Sequence, residues 1–198
     1  MLNVLSSTLA LLETRRSGRP RDLAAPGPDS DQLRRILAIA MRSPDHGKLH
    51  PWRFVHVPQE RRADFAALLG RAYRMDNPAP GRLELEANER FAYQAPELIV
   101  ALSSPTEGHK IPVWEQQLSC GAACMNLALA AHAMGFAAGW VTGWAAYSPA
   151  VLAAFGAAPE RIAGFLFLGT PGAELEERLR PDYDEVVSEW APNRTESA

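Results

Sequence analysis

Cysteine is scarce in this 198-residue chain, which has only Cys120 and Cys124. They stand four apart in a segment with helical periodicity, so both turn to one side, and i,i+4 geometry leaves their Cβ atoms too far apart for an unstrained disulfide. Two small buried hydrophobes are expected there. No block of like charge marks an interaction tail, and the formal net charge is only −3, which disfavours a general nucleic-acid binder. The N-terminus has neither a basic n-region nor a cleavage-site pattern, and Ser6, Ser7, Thr8 and Glu13 interrupt its apolar residues. It reads as neither a signal peptide nor a membrane span, so a cytoplasmic protein without a membrane partner is expected. No G-x-G-x-x-G follows a strand, and there is no P-loop, no G-x-S-x-G and no H-E-x-x-H. His46 and His50 lie four apart beside Asp45, but His109 and His132 are far off in sequence. A zinc site needs three or four ligands, so no metal is expected.

Apolar residues make up 47% of the chain and charged residues 22%, the balance of an ordinary globular protein long enough for one domain with a sizeable core. A single domain over 1–198 is expected, with a C-terminal extension from about 173. Leu2, Leu5, Leu9 and Leu12 recur at helical spacing and predict a first amphipathic helix, stopped near Arg16-Ser17-Gly18 with Gly18 as a left-handed cap. Asp29 or Ser30 caps a second helix that Pro44 ends. Residues 52–57 read as a strand, with Trp52 anchoring the core. Phe65 to Tyr73 mark a third helix, and a polar helical piece over 83–91 is expected to be mobile or to lie over a pocket. Residues 98–102 read as a strand buried on both faces. Residues 112–134 form the longest helical candidate, apolar nearly all round and therefore buried in a core or between subunits. Strands over 136–141 and 162–168 flank a short helix that Ser148-Pro149 would cap and start. The charged C-terminal stretch is expected to run over a surface or onto a partner.

Two polar clusters stand out. Arg15-Arg16-Ser17 closes the first apolar segment. Cations at a helix C-terminus are favoured by the macrodipole without any ligand, yet two guanidiniums and a hydroxyl also suit a phosphate or a carbonyl-rich ring. The second cluster, Arg42-Ser43-Pro44-Asp45-His46, runs on to His50-Pro51-Trp52 and is either a helix-to-strand turn or part of a ligand seat. Gly139-Trp140-Val141-Thr142-Gly143-Trp144 follows a strand. Its glycines would allow close backbone approach to a flat ligand, or its aromatics would fill the core.

The order and spacing of several pieces resemble the FMN-dependent nitroreductases, most closely the small single-domain, YdjA-like branch. The pieces are Arg15-Arg16-Ser17, Met41-Arg42-Ser43-Pro44-Asp45-His46, Pro51-Trp52-Arg53-Phe54, His109-Lys110-Ile111-Pro112, Trp114-Glu115-Gln116, Gly135-Phe136 and the run from Gly164 to Pro171. The resemblance implies an α+β fold, with a mixed sheet flanked by helices, in an intertwined homodimer holding FMN at the subunit interface. It assigns FMN contacts to Arg15, Arg16 and Ser17, to Arg42 and His46 from the other subunit, and to Trp140, Val141 and Thr142 beside the flavin. The C-terminal phosphate-binding cations of larger members have no clear match here, with Arg178 or Arg180 as the candidates. NAD(P)H would donate a hydride through the flavin to a nitroaromatic, a quinone or a related acceptor, with no side chain needed as a catalytic acid. A non-enzymatic flavin-binding or flavin-sensing protein, or a flavin-dependent dehalogenase, would share the same fold.

Overall fold

In a computed structural model, which describes residues 2–191, five strands form one sheet between two helical layers. In chain order the elements are α1 (Thr8–Thr14), β1 (Leu23–Ala24), α2 (Ser30–Ala40), β2 (Trp52–His56), α3 (Arg62–Asp76), α4 (Arg82–Phe91) and β3 (Glu97–Ser103). They continue with α5 (Val113–Ala133), β4 (Ala137–Val141), α6 (Trp144–Tyr147), α7 (Pro149–Leu152), β5 (Arg161–Pro171) and α8 (Tyr183–Val186).

The long strand β5 is the hub. It pairs with β3, β4 and β1, and β2 pairs with β3. The α+β class expected from the sequence holds. The sheet itself, expected to be mixed, is antiparallel at all four pairings among the described residues. Alternation along β3 and β5 explains their unbroken apolar runs. Leu98, Val100, Leu102, Phe165 and Phe167 pack with Phe65 and Leu69 of α3 and with Phe91 of α4. Ile99, Ala101, Leu166 and Leu168 pack with Leu33 and Ile36 of α2 and with Cys120, Cys124 and Leu127 of α5. Both faces are covered, so neither strand carries a solvent-facing polar register. The region expected to be mobile or pocket-covering contains α4, whose terminal Phe91 stands edge-on to Phe165 and Phe167 with ring centroids 5.1 Å apart in both pairs.

Three local expectations are corrected. The first helix begins only at Thr8, capped by Ser7, whose hydroxyl accepts from Ala10 N at 3.1 Å. The competing Ser6-Ser7-Thr8 cap signal sets this start, and Leu5, Leu9 and Leu12 lie exposed while Leu11 is buried. Gly18 is not a left-handed cap. It is tight against its neighbours, and a Cβ there would meet Leu23 Cδ2 at 2.6 Å and the Ala137 methyl at 3.3 Å. Ser148 precedes α7 with Pro149 at its start, yet its side chain makes no capping bond. Asp29, by contrast, caps α2 through a reciprocal pair: it accepts from Gln32 N at 2.8 Å while Gln32 Oε1 accepts from Asp29 N at 2.9 Å.

One buried cation fastens the layers. Arg62, at the start of α3, is fully buried. Its Nε donates to Val57 O at 2.7 Å, Nη1 to Ala92 O at 2.8 Å and to Ala95 O at 3.3 Å, and Nη2 to Pro96 O at 3.0 Å. One guanidinium thus satisfies the end of the β2 segment, the exit of α4 and the entry to β3. Burial lowers its pKa, and the nearby Glu97 opposes that shift. Removing it leaves several carbonyls buried without donors. Arg62→Met should therefore lower unfolding stability by about 3 kcal/mol or more, read as a reduced urea midpoint. Arg62→Lys should recover only part of it, because an ammonium cannot fork to four carbonyls.

Candidate functional site

The first polar cluster leaves the end of α1 in extended conformation, with Arg15 at φ −57°, ψ 127°. Neither arginine lies in the last helical turn, so the macrodipole does not account for them. The segment then runs along β4, with Gly18 N donating to Ala138 O at 3.1 Å. The two arginines differ sharply. Arg16 is buried, its backbone is bracketed by Asn3 (N to Oδ1 2.7 Å, O from Nδ2 3.2 Å), and its Nε donates to Glu176 O at 2.7 Å. Arg15 is half-buried and donates from Nη1 to Ser17 Oγ at 3.2 Å.

The C-terminal extension crosses this end as a strap. Arg19 Nη2 meets Glu176 Oε2 at 2.5 Å, and residues 173–178 join Arg16, Ser17 and Arg19 around a narrow cavity of about 60 Å³. The strap also brings two more cations. Burial, then the charges of Arg178 and Arg180, lower the Arg16 pKa; Glu177 opposes this and Arg15 adds to it. Arg15, Arg178 and Arg180 thus all act on Arg16, while Glu177 accepts from Arg180 at 3.0 Å and Asp22, Glu174 and Glu176 line the same cavity.

The second cluster sits at the far end of α5. Ser43 is buried, donates to Ala40 O at 3.0 Å and accepts from Asn126 Nδ2 at 2.9 Å. Ser119 donates from its hydroxyl to Pro44 O. Asp45 shapes the turn, accepting from Leu49 N at 3.0 Å and His50 N at 2.9 Å while Lys48 and His50 take positive φ. His46 projects to solvent with Nδ1 2.7 Å from Glu115 Oε2, and Arg42 is exposed. His46, His50 and Asp45 form no metal-holding group; none with three such ligands occurs among the described residues.

The third element is the end of β4. Trp140 is 40% exposed, donates from Nε1 to Ala163 O at 3.1 Å and lies over Gly164, where any side chain would collide with the indole. Val141 is half-buried and Thr142 exposed. Gly139, expected to admit a ligand, instead admits the chain itself, since a Cβ there would meet Gly18 O at 2.6 Å.

The structure therefore joins some of these residues and separates others. Arg15, Arg16 and Ser17 share the β4 edge with Trp140, Val141 and Thr142, and Ala138 and Thr142 lie about 13 Å apart at strand rise. Arg42 and His46 make no hydrogen bond to them among the described residues, and His46 stands well apart. His46 meets α5 at Glu115, whereas Arg15 lies near His132, and α5 between those residues spans about 25 Å.

Sequence reasoning missed Glu115, Ser119 and Asn126 as loop holders. Their signal was present: three polar residues at i, i+4 and i+11 fall on one stripe of an otherwise apolar helix. It also missed His132, which is 1% exposed beside Arg15. As expected, Cys120 and Cys124 are buried and free. The adjacent Cys120 thiol and burial push the Cys124 thiol up.

Fold and rim together define a three-layer α+β fold with an arginine-rich edge. The chain belongs to the nitroreductase family, whose model, described as "Nitroreductase family", matches residues 12–170. It is 39% identical over 164 residues to the Escherichia coli K12 protein named "Putative NAD(P)H nitroreductase YdjA", covering 82% of this chain and 87% of that one. Among solved structures, a nitroreductase-like family protein from Bacillus cereus aligns with TM-score 0.79 at 20% identity, over 97% of this chain and 100% of that chain. A nitroreductase with bound FMN from Bacteroides fragilis aligns with TM-score 0.67 at 23% identity, over 90% and 96%. No helix among the described residues is long and apolar enough to cross a membrane.

His132 gives this edge a pH signature. Burial first, then the Arg15 charge, lower its pKa from 6.5 to about 4, against the opposing bond between Nδ1 and Phe136 O at 3.2 Å. The folded state holds the imidazole neutral while the unfolded chain protonates it, so stability is full above pH 6.5 and lost as pH falls toward 4. Urea unfolding at pH 5 should show about 2 kcal/mol less stability than at pH 7.5. His132→Gln, which keeps a donor for Phe136 O, should flatten that difference.

Proposed function

We propose that this chain is an FMN-dependent oxidoreductase that takes a hydride from NAD(P)H and passes it to a nitroaromatic, a quinone or a related acceptor. The observation that carries the reading is the placement of Arg15 and Ser17, bonded Nη1 to Oγ at 3.2 Å, beside buried Arg16 on the segment that runs along β4. Like charges held together at a partly desolvated edge favour an anion, and a phosphate ester matches both their charge and their forked donors. Arg15, Ser17 and the outer nitrogens of Arg16 would hold the phosphate end. Trp140, Val141 and Thr142, farther along β4, would border the ring. FMN, when bound, supplies the ring that accepts and releases the hydride, and the protein supplies placement and charge.

Arg42 and His46 enter this site from a second copy of the chain. His46, at Glu115, stands about 25 Å along α5 from the His132 end, so a site that combines His46 with Arg15 draws on two chains. Exposed apolar side chains on α1 (Leu9, Leu12) and α5 (Trp114, Leu118) support association. A twofold dimer is the commonest closure and gives two equivalent sites. Location in the cytoplasm accords with this chemistry.

Purified protein should be yellow, and its flavin absorbance should bleach within seconds to minutes when NADH or NADPH is added without oxygen. Retained colour would overturn the reductase and leave a flavin-binding protein. Arg15→Ala should raise the FMN dissociation constant at least about tenfold through the lost charge-assisted bonds, with the dimer unchanged on a sizing column. Unaltered affinity would remove Arg15 from the phosphate end.

A further inference from the structure

The loop carrying Arg42 and His46 is held by one helix stripe. Glu115, Ser119 and Asn126 project from the same side of α5 and engage successive parts of it: the His46 ring, the Pro44 carbonyl and the Ser43 hydroxyl. Ser119 and Asn126 fix the backbone and its buried anchor. Only Glu115 reaches the exposed side chain at the tip. Asp45, the carboxylate beside His46 in sequence, is taken up by Leu49 N and His50 N.

We infer that Glu115 is a positioning residue for His46, orienting the imidazole so that Nε2 faces the flavin nucleotide of the partner protomer. This rests on the FMN reading above. A carboxylate accepts, so a contact of 2.7 Å requires the proton on Nδ1. That choice leaves Nε2, which has no partner among the described residues, as the ring nitrogen presented to a ligand. Stability does not explain the pair. The side chains are 68% and 44% exposed, a setting in which an ion pair contributes little to folding. A carboxylate that holds a ligand-binding histidine in one tautomer and one orientation acts instead on ligand affinity, as the partners of metal-binding histidines do.

The test titrates apoprotein with FMN, following quenching of flavin fluorescence, for wild type, Glu115→Ala, Glu115→Gln, His46→Ala and the Glu115→Ala/His46→Ala double variant. Thermal melts of the apoproteins accompany each titration. Glu115→Ala should weaken FMN binding roughly tenfold with an unchanged melt. Glu115→Gln should bind close to wild type, because its amide oxygen still accepts from Nδ1. In the His46→Ala background the Glu115→Ala change should have no further effect. Wild-type affinity in Glu115→Ala, or losses that simply multiply in the double variant, would overturn the positioning role. If His46→Ala weakens binding while Glu115→Ala does not, only this inference fails. If His46→Ala leaves affinity unchanged, the flavin contact of His46 fails and this inference with it.

Discussion

The burial of α5 is the constraint from which the rest follows. The helix runs from Val113 to Ala133 and is apolar nearly all round, so it has to be covered on most sides. One side takes Ile99, Ala101, Leu166 and Leu168 of the sheet, and another takes Leu33 and Ile36 of α2. With the helix fixed there, its two ends become two fixed positions. The first turn holds the His46 ring, Ser119 and Asn126 farther along hold the loop behind it, and the last turn carries buried His132 within reach of the Arg15 charge. Glu115 and His132 lie about 25 Å apart along the helix, which separates the His46 ring from the Arg15 end and underlies the two-chain site proposed above.

The same helix resolves a conflict between burial and chemistry. A fully apolar α5 would bury well but could not hold a polar loop. A wide polar face would hold the loop but spoil the core. The sequence places Glu115, Ser119 and Asn126 on one narrow stripe and leaves Ala122 between them, so the loop can lie close to the helix axis. Each of the three satisfies a different group of the loop. None depends on another, which fits a clamp made of local contacts rather than one shared network.

Much of the fold was legible in the sequence because the strongest signals agreed. The runs of β3 and β5, the length of α5, the Asp29 cap and the end of α2 before Pro44 each rest on periodicity or on a specific breaker. The failures have physical causes. The leucine spacing of residues 2–12 suggested a helix longer than the one formed, because Ser7 offered a better start and the outer leucines have nothing in this protomer to pack against. Gly18 and Gly139 were each assigned a role, cap and ligand approach, when in fact Gly139 makes room for the backbone of Gly18, and Gly18 for Leu23 and Ala137. That contact is tertiary and leaves no local trace. Arg62 was invisible for the same reason: its four acceptors come from segments up to 34 residues away. The candidate site divides similarly. Its residue types were readable from spacing, but the strap that brings Arg178 and Arg180 to Arg16 was not.

That strap separates the roles of two adjacent arginines. Arg16 points inward, is enclosed, and uses Nε on the backbone of residue 176. It holds the C-terminal extension in place while adding charge. Arg15 is bonded only to Ser17 among the described residues and stays half-exposed. Its guanidinium keeps donors for a ligand, and its charge adds to burial in lowering the His132 pKa. A phosphate at Arg15, as proposed above, would add a counter-charge to the cations around Arg16. Arg178 and Arg180 add like charge near Arg16, while Glu177, bonded to Arg180 at 3.0 Å, offsets part of it.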